Sequence, residues 1–216
     1  MIGALQFGLM YIFYIQSYQY LPAYLIATFT ITTPIFVAIA DKFFFSNRFT
    51  YRECIAILLV IVGSYLMRYN VLSLNEYWYG FLLIQCANLF FAVGQIWFKQ
   101  WNIENRSTDI IANFSQLFLG ATLITFIAYL FFPTPVFELT NNNLFALLFL
   151  GLISTGIGFL LWNIGATKVS SDKLAISNNL VIPIAILNSL IIFGETISFG
   201  LFLPGLILFY IAYRII

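Results

Sequence analysis

The sequence predicts an all-α integral membrane protein of about eight transmembrane helices, on three observations. Of 216 residues, 62% are hydrophobic and 19% aromatic, and only 8% are charged. A soluble domain carries roughly 25% charged residues, and so little polar side chain could not cover a water-facing surface. Apolar runs recur along the whole chain between clusters of charge, Asn, Pro and Ser, and Lys and Arg are confined to alternate connections. Spans of about 20 apolar residues use up the length, so no separate water-soluble domain is expected. A net charge of +1 gives no basic field for nucleic acid. Zero His and two isolated Cys supply no zinc-type ligand set, and no metal or cofactor is expected.

The eight helices follow from the punctuation. Helix α1 is expected at about Ile2 to Tyr18, α2 at Pro22 to Phe45, α3 at Glu53 to Met67 and α4 at Trp78 to Phe98. Helix α5 follows at Ile110 to Phe132, α6 at Leu144 to Thr167, α7 at Leu174 to Phe193 and α8 at Phe199 to Tyr213. α3 and α8 are short for a hydrocarbon core of about 30 Å, which predicts tilt or snorkelling there. The alternative for α1, a cleaved signal peptide, lacks a basic leading region and would contain Gln6, Gln16 and several Tyr.

Positive charge sets the orientation, because loops rich in Lys and Arg stay in the cytoplasm. Lys42, Arg48 and Arg52 lie between α2 and α3, Lys99 and Arg106 between α4 and α5, Lys168 and Lys173 between α6 and α7, and Arg214 after α8. Only Arg68 falls on the other side, and loops such as Pro133 to Asn143 contain neither residue. This places both termini in the cytoplasm of a multi-pass protein of the cell membrane, a bacterial inner membrane by expectation.

An internal repeat links α1–α3 to α6–α8. Thr32-Thr33-Pro34-Ile35-Phe36 precedes a turn at Ser46-Asn47-Arg48 and Thr50, and Val181-Ile182-Pro183-Ile184-Ala185 precedes Gly194-Glu195-Thr196 and Ser198. The prolines at 34 and 183 lie 149 positions apart. The second unit comprises five helices, α4 to α8, so the first should also have five. Counting back by the same offset from Trp78 puts its start about 70 residues before Met1, two helices earlier.

Several segments resemble the EamA type of the drug/metabolite transporter superfamily. They are Tyr14 to Tyr20 running into Leu21-Pro22-Ala23, Thr33-Pro34-Ile35-Phe36, Trp162-Asn163 to Lys168, Val169-Ser170-Ser171, Pro183 and Phe193-Gly194-Glu195. The resemblance covers almost the whole chain, as helices three to ten of a ten-helix inverted repeat (5+5). It departs from that pattern at the first turn, where Ser46-Asn47 replaces the usual Gly-Glu. Residues 1–70 would then be the last three helices of the first repeat, and 77–216 a complete second repeat. Repeats of odd span number in the same chain order lie upside down relative to each other, which is the basis of alternating access. The resemblance also implies a solute cavity lined by α1, α2, α4, α6, α7 and an absent first helix.

The residues offer matching constellations. Pro34 and Pro183 remove helical hydrogen bonds and free the carbonyls of Thr30 and Asn179, so they mark either hinges facing a wet cavity or plain packing kinks. Gln85, Asn88, Ala92 and Gln95 share one face of α4, suited to a neutral or zwitterionic solute or to interhelical hydrogen bonds. Tyr11, Tyr14 and Tyr18 form a face of α1; Thr30, Thr33, Val37 and Asp41 one of α2; and α7 adds Asn178 and Ser189. Trp162 completes the expected cavity. Gly151, Gly158 and Gly165 recur every seven residues of α6 and predict a close-packed seam. Asp41 is the only carboxylate expected at membrane depth, Glu195 suits a turn, and no buried proton relay is seen. Cys54 and Cys86 are expected as packing residues.

The leading expectation is a transporter of small metabolites, with amino acids, amines or related compounds implied by the resemblance. Its partners would be the lipid bilayer and a small-molecule solute, with a homodimer left open. The alternatives are an inactive truncated fragment or membrane-embedded interaction protein and, with fewer residues to support it, an integral-membrane enzyme. Fusions at Ile216 test the orientation: a reporter active only in the cytoplasm should work there, and one active only outside the membrane should be silent.

Overall fold

The computed structural model describes residues 1–45, 50–67, 77–105, 109–131, 140–193 and 198–216, which are helical with no strand among them. Outside the described residues lie Ser46, Asn47, Arg48, Arg68, Arg106, most of the Pro133 to Asn143 loop and Gly194-Glu195-Thr196. Five helices are long and apolar enough to cross a membrane: Leu25–Phe45, Trp78–Glu104, Ile110–Phe131, Asn141–Lys168 and Ser171–Ile192. Phe199–Ile215 is a shorter apolar helix, and Tyr51–Met67 is another short rod.

The helices are less regular than their hydropathy suggests. α1 opens as a π-helix over Ala4–Leu9 and continues as an α-helix over Met10–Ser17. α2 breaks into Ala23–Phe29, a 3₁₀ turn at Thr30–Thr32 and Thr33–Phe45. α6 runs from Asn141–Leu148 through a π-helical Phe149–Gly158 to Phe159–Lys168, and α7 splits into Ser171–Asn178 and Val181–Phe193. α4 extends to Glu104, six residues past its expected end at Phe98. Its last turns are held by Asn102 Nδ2 donating to the Phe98 carbonyl at 2.9 Å and Gln100 Nε2 to Glu104 at 3.0 Å.

α4 is the central post. α1 and α2 pack on it, α6 leans against it, α5 covers α1, and α8 runs along α3. Glycines carry the closest approaches: a Cβ at Gly94 of α4 would strike Gln6 of α1, and one at Gly63 of α3 would meet the Gly205 carbonyl of α8 at 3.0 Å. A phenylalanine cluster joins α1, α5 and α6, with the Phe7 ring 5.6 Å from Phe118 and 5.1 Å from Phe159. Around this core large apolar side chains such as Leu119, Phe145, Leu152 and Ile191 are exposed, which is a surface suited to lipid.

The α6 glycine seam takes no partner here. Gly151, Gly158 and Gly165 are exposed, and a Cβ added to each meets no described atom of another helix within 4 Å. The π-helical stretch explains the loss of register, because i→i+5 bonding widens the turn and a sevenfold spacing no longer stacks. Cys54 is likewise exposed and not in the interior, and both thiols are free.

The two proline breaks meet. Pro183 has no N–H to give the Asn179 carbonyl, which instead accepts from Ile182 N at 3.0 Å. The Asn179 side chain crosses to α2, donating to the Ile31 carbonyl at 2.9 Å, and to Ser64 Oγ of α3 at 3.3 Å. Asn179→Ala should strip a buried carbonyl of its donor and lower stability by about 1–3 kcal/mol. Ser64→Ala should cost less, and thermal melting in detergent measures both.

Candidate functional site

One face of α4 carries the polar chemistry in three layers. Nearest Trp78, the Phe29 carbonyl at the α2 break gathers side-chain donors, while the Thr33 N–H bonds the Thr30 carbonyl. Gln85 Nε2 donates to Phe29 O at 3.3 Å and Asn88 Nδ2 at 3.2 Å. Thr32 Oγ1 donates to Gln85 Oε1 at 2.6 Å and accepts from Asn88 Nδ2 at 3.2 Å. The hydroxyls of Thr30 and Thr33 turn back to their own helix, at Ala27 O and Thr30 O. Thr32, between them, is the threonine that faces α4.

Two to three turns further along, Gln95 is fully buried and its Oε1 accepts from Asn178 Nδ2 of α7 at 3.4 Å. On the α1 side, fully buried Gln6 donates from Nε2 to Asn163 Oδ1 of α6 at 3.0 Å. Trp162, half-buried beside Asn163, packs against the apolar cluster of Val37, Ala92, Ile96 and Ala166 with their neighbours. Tyr11 shares a 2.9 Å hydrogen bond with Thr155 of α6, and Tyr14 packs edge-on to Tyr18. The amides and tyrosines expected to line a cavity are thus spread over two layers, with Gln85 and Asn88 committed to the α2 break.

The third layer is charged. Lys42 Nζ lies 2.8 Å from Glu53, 3.4 Å from Asp41 and 3.9 Å from Asp172, joining the ends of α2, α3 and α7. Lys99 donates to the Val169 carbonyl at 2.7 Å and Ser171 Oγ at 3.0 Å, pinning α4 to the α6–α7 link. Asp41 and Glu53 are each 2% exposed and Lys99 is 5% exposed. Glu53 and Asp172 occupy first turns of helices, where the positive end of the backbone dipole favours a carboxylate. Asp41 is therefore not the only carboxylate withdrawn from water, and Lys99 is a buried side chain of α4 and not a loop residue. Both could be read from the sequence: at about 100° per residue Lys99 continues the stripe of Gln85, Asn88 and Gln95.

Removing Lys42 would leave Asp41 and Glu53 buried without their ammonium. Lys42→Met should destabilise the protein by about 3–5 kcal/mol, and adding Glu53→Met should restore part of that loss. Melting of the single and double variants gives the coupling.

Comparison with known proteins places this architecture. The model of the EamA-like transporter family matches residues 1–69 and 78–216. The biotin transporter of Escherichia coli K12 is 31% identical over 206 residues, which are 95% of this chain and 68% of that protein. A probable biotin transporter of Pseudomonas aeruginosa is 34% identical, covering 90% of this chain and 68% of its own length. A protein of known crystal structure shares the fold with a TM-score of 0.77 at 15% identity, covering 99% of this chain and 74% of that one. The chain is a multi-pass membrane protein that transports a small metabolite, not an enzyme, and it belongs to the EamA-like transporter family.

Proposed function

We propose that the protein carries a small carboxylic acid with a polar ring, biotin foremost, by alternating access between two inverted repeats, 1–70 and 77–216. The observation that carries this reading is the joint between the broken helices. Asn179 at the α7 break bonds to Ile31 at the α2 break, at 2.9 Å, beside the amide stripe of α4. Broken helices at mid-membrane place polar groups where a solute can use them and provide points at which a helix can bend.

The names of the relatives support the choice of solute, and so do the side chains. Glutamine and asparagine amides both donate and accept, as a ureido ring does. The half-buried rings of Tyr11, Tyr14 and Trp162 suit an apolar ring system. Lys99 supplies a cation on the same face of α4, about 6 Å along the helix from Gln95, to attract a carboxylate. Amino acids and amines fit the amides but make less use of Lys99.

The distribution of Lys and Arg supports placing the charged layer and both termini on the cytoplasmic side of the cell membrane. In the structure that end is tied by ion pairs. The opposite end is joined by aromatic and aliphatic contacts, such as Tyr20 on Tyr79 with ring centroids 4.7 Å apart and Phe29 on Phe81 at 5.0 Å.

Counterflow in proteoliposomes tests the proposal. Vesicles loaded with unlabelled biotin should accumulate labelled biotin, and a parallel panel of amino acids and amines should exchange more slowly. Lys99→Met should reduce biotin exchange about tenfold or more and exchange of a neutral solute less, since loss of the bonds to Val169 and Ser171 also loosens the α6–α7 link. Equal loss for both would remove Lys99 from solute recognition.

A further inference from the structure

Three buried polar atoms outside the charged layer have no hydrogen-bond partner among the described residues: Gln6 Oε1, Gln95 Nε2 and Trp162 Nε1. A buried polar group without a partner is unfavourable, so three in one region need a reason. Each glutamine is held in a single orientation by an asparagine whose own amide is anchored. Asn163 Nδ2 donates to the Phe159 carbonyl at 2.8 Å, so its Oδ1 is left to face Gln6 and must receive the Gln6 nitrogen. That turns Gln6 Oε1 outward as an acceptor. Asn178 Nδ2 donates to the Leu174 carbonyl at 2.9 Å, so the atom it meets on Gln95 must be the oxygen. That leaves Gln95 Nε2 as a donor.

The three residues are neighbours in the fold. Gln6 packs on α4 at Gly94, next to Gln95. Trp162 precedes Asn163, the partner of Gln6, in α6 and packs on the apolar cluster that includes Ala92 and Ile96 of α4. The free set is therefore two donors and one acceptor, oriented in advance by anchored asparagines. A cyclic urea shows the complement: a carbonyl with two lone pairs, flanked by N–H groups. We propose that Gln95 Nε2 and Trp162 Nε1 donate to the carbonyl of a solute's cyclic urea while Gln6 Oε1 accepts from its ring N–H. The inference rests on the transport reading above and assigns recognition of the urea edge to these three atoms, separately from the carboxylate. A site built around such polar atoms rejects an analogue that leaves them unpaired far more strongly than one that differs by a methylene.

The test compares labelled biotin with its diamine analogue, in which the urea carbonyl has been removed, as competitors in counterflow on the full chain in proteoliposomes. The native protein should prefer biotin by at least about tenfold. Gln95→Glu, which replaces the donor with an acceptor, and Trp162→Phe, which keeps the ring and loses only the N–H, should each bring the preference towards unity. Asn178→Ala, which frees the Gln95 amide to rotate, should reduce it in part. Variants that exchange biotin more weakly but keep the native ratio would overturn the assignment, because a merely structural role lowers both solutes alike. If the native protein exchanges biotin with no preference over the diamine, the assignment also falls while the transport reading stands. A native protein that exchanges no biotin at all would overturn that reading, and the inference with it.

Discussion

Pro34 and Pro183 each delete a backbone donor inside a membrane helix, and satisfying the carbonyls around those breaks shapes much of what surrounds them. Water in a soluble protein would take up the freed groups, but hydrocarbon offers no substitute. The Thr30 and Asn179 carbonyls are met locally, by the Thr33 and Ile182 N–H groups, and side chains of neighbouring helices reach the carbonyls beside them. Gln85 and Asn88 reach the Phe29 carbonyl from α4, and Asn179 reaches Ile31 from α7. Hydrogen bonds from α4 and α7 to α2 thus gather at the breaks. They fix the register of α2 against α4 and α7, which in turn sets Gln95, Asn178 and Lys99 along one polar face.

The charged layer obeys the same constraint at greater stakes. Two carboxylates, each 2% exposed, and a lysine 5% exposed sit where isolated charges would be strongly disfavoured, and they persist by pairing. Lys42 gathers Asp41, Glu53 and Asp172 from three helices, and Lys99 holds the α6–α7 link through a carbonyl and a hydroxyl. Lys42 therefore ties α2 and α3 to α7, and Lys99 ties α4 to the α6–α7 link.

How much of this was legible in the sequence depends on the range of the interaction. The membrane class, the helix order and both broken helices follow from composition, apolar runs and two prolines, all local signals. The carbonyl that the α4 amides reach does not: Pro34 points to Thr30, but Gln85 and Asn88 bond Phe29, and Thr32 replaces Thr30 and Thr33 as the threonine that meets α4. Lys99 was assigned to a loop because charge normally ends a span, though helical phase already put it on the Gln95 face. Gln6 and Asn163 could not be paired from sequence, since their contact spans 157 positions and carries no periodic mark. The α6 glycines misled because spacing assumes an α-helix, and the π-helical Phe149–Gly158 is not one.

Among the described residues the charged layer has no counterpart at the other end. Carrying Asp41 and Lys42 forward by the offset between Pro34 and Pro183 lands on Leu190 and Ile191, and Glu53, past the one-residue gap at the turn, maps to Leu201. Inverted repeats with identical ends would have two conformations of equal energy, but among the described residues one end is held by ion pairs and the other by aromatic and aliphatic contact. The two closures have opposite heat-capacity signatures, because wetting apolar surface raises heat capacity and wetting polar groups lowers it. Under alternating access, the balance between the two closed forms would then vary with temperature, a thermal bias set by the primary structure of two helix ends.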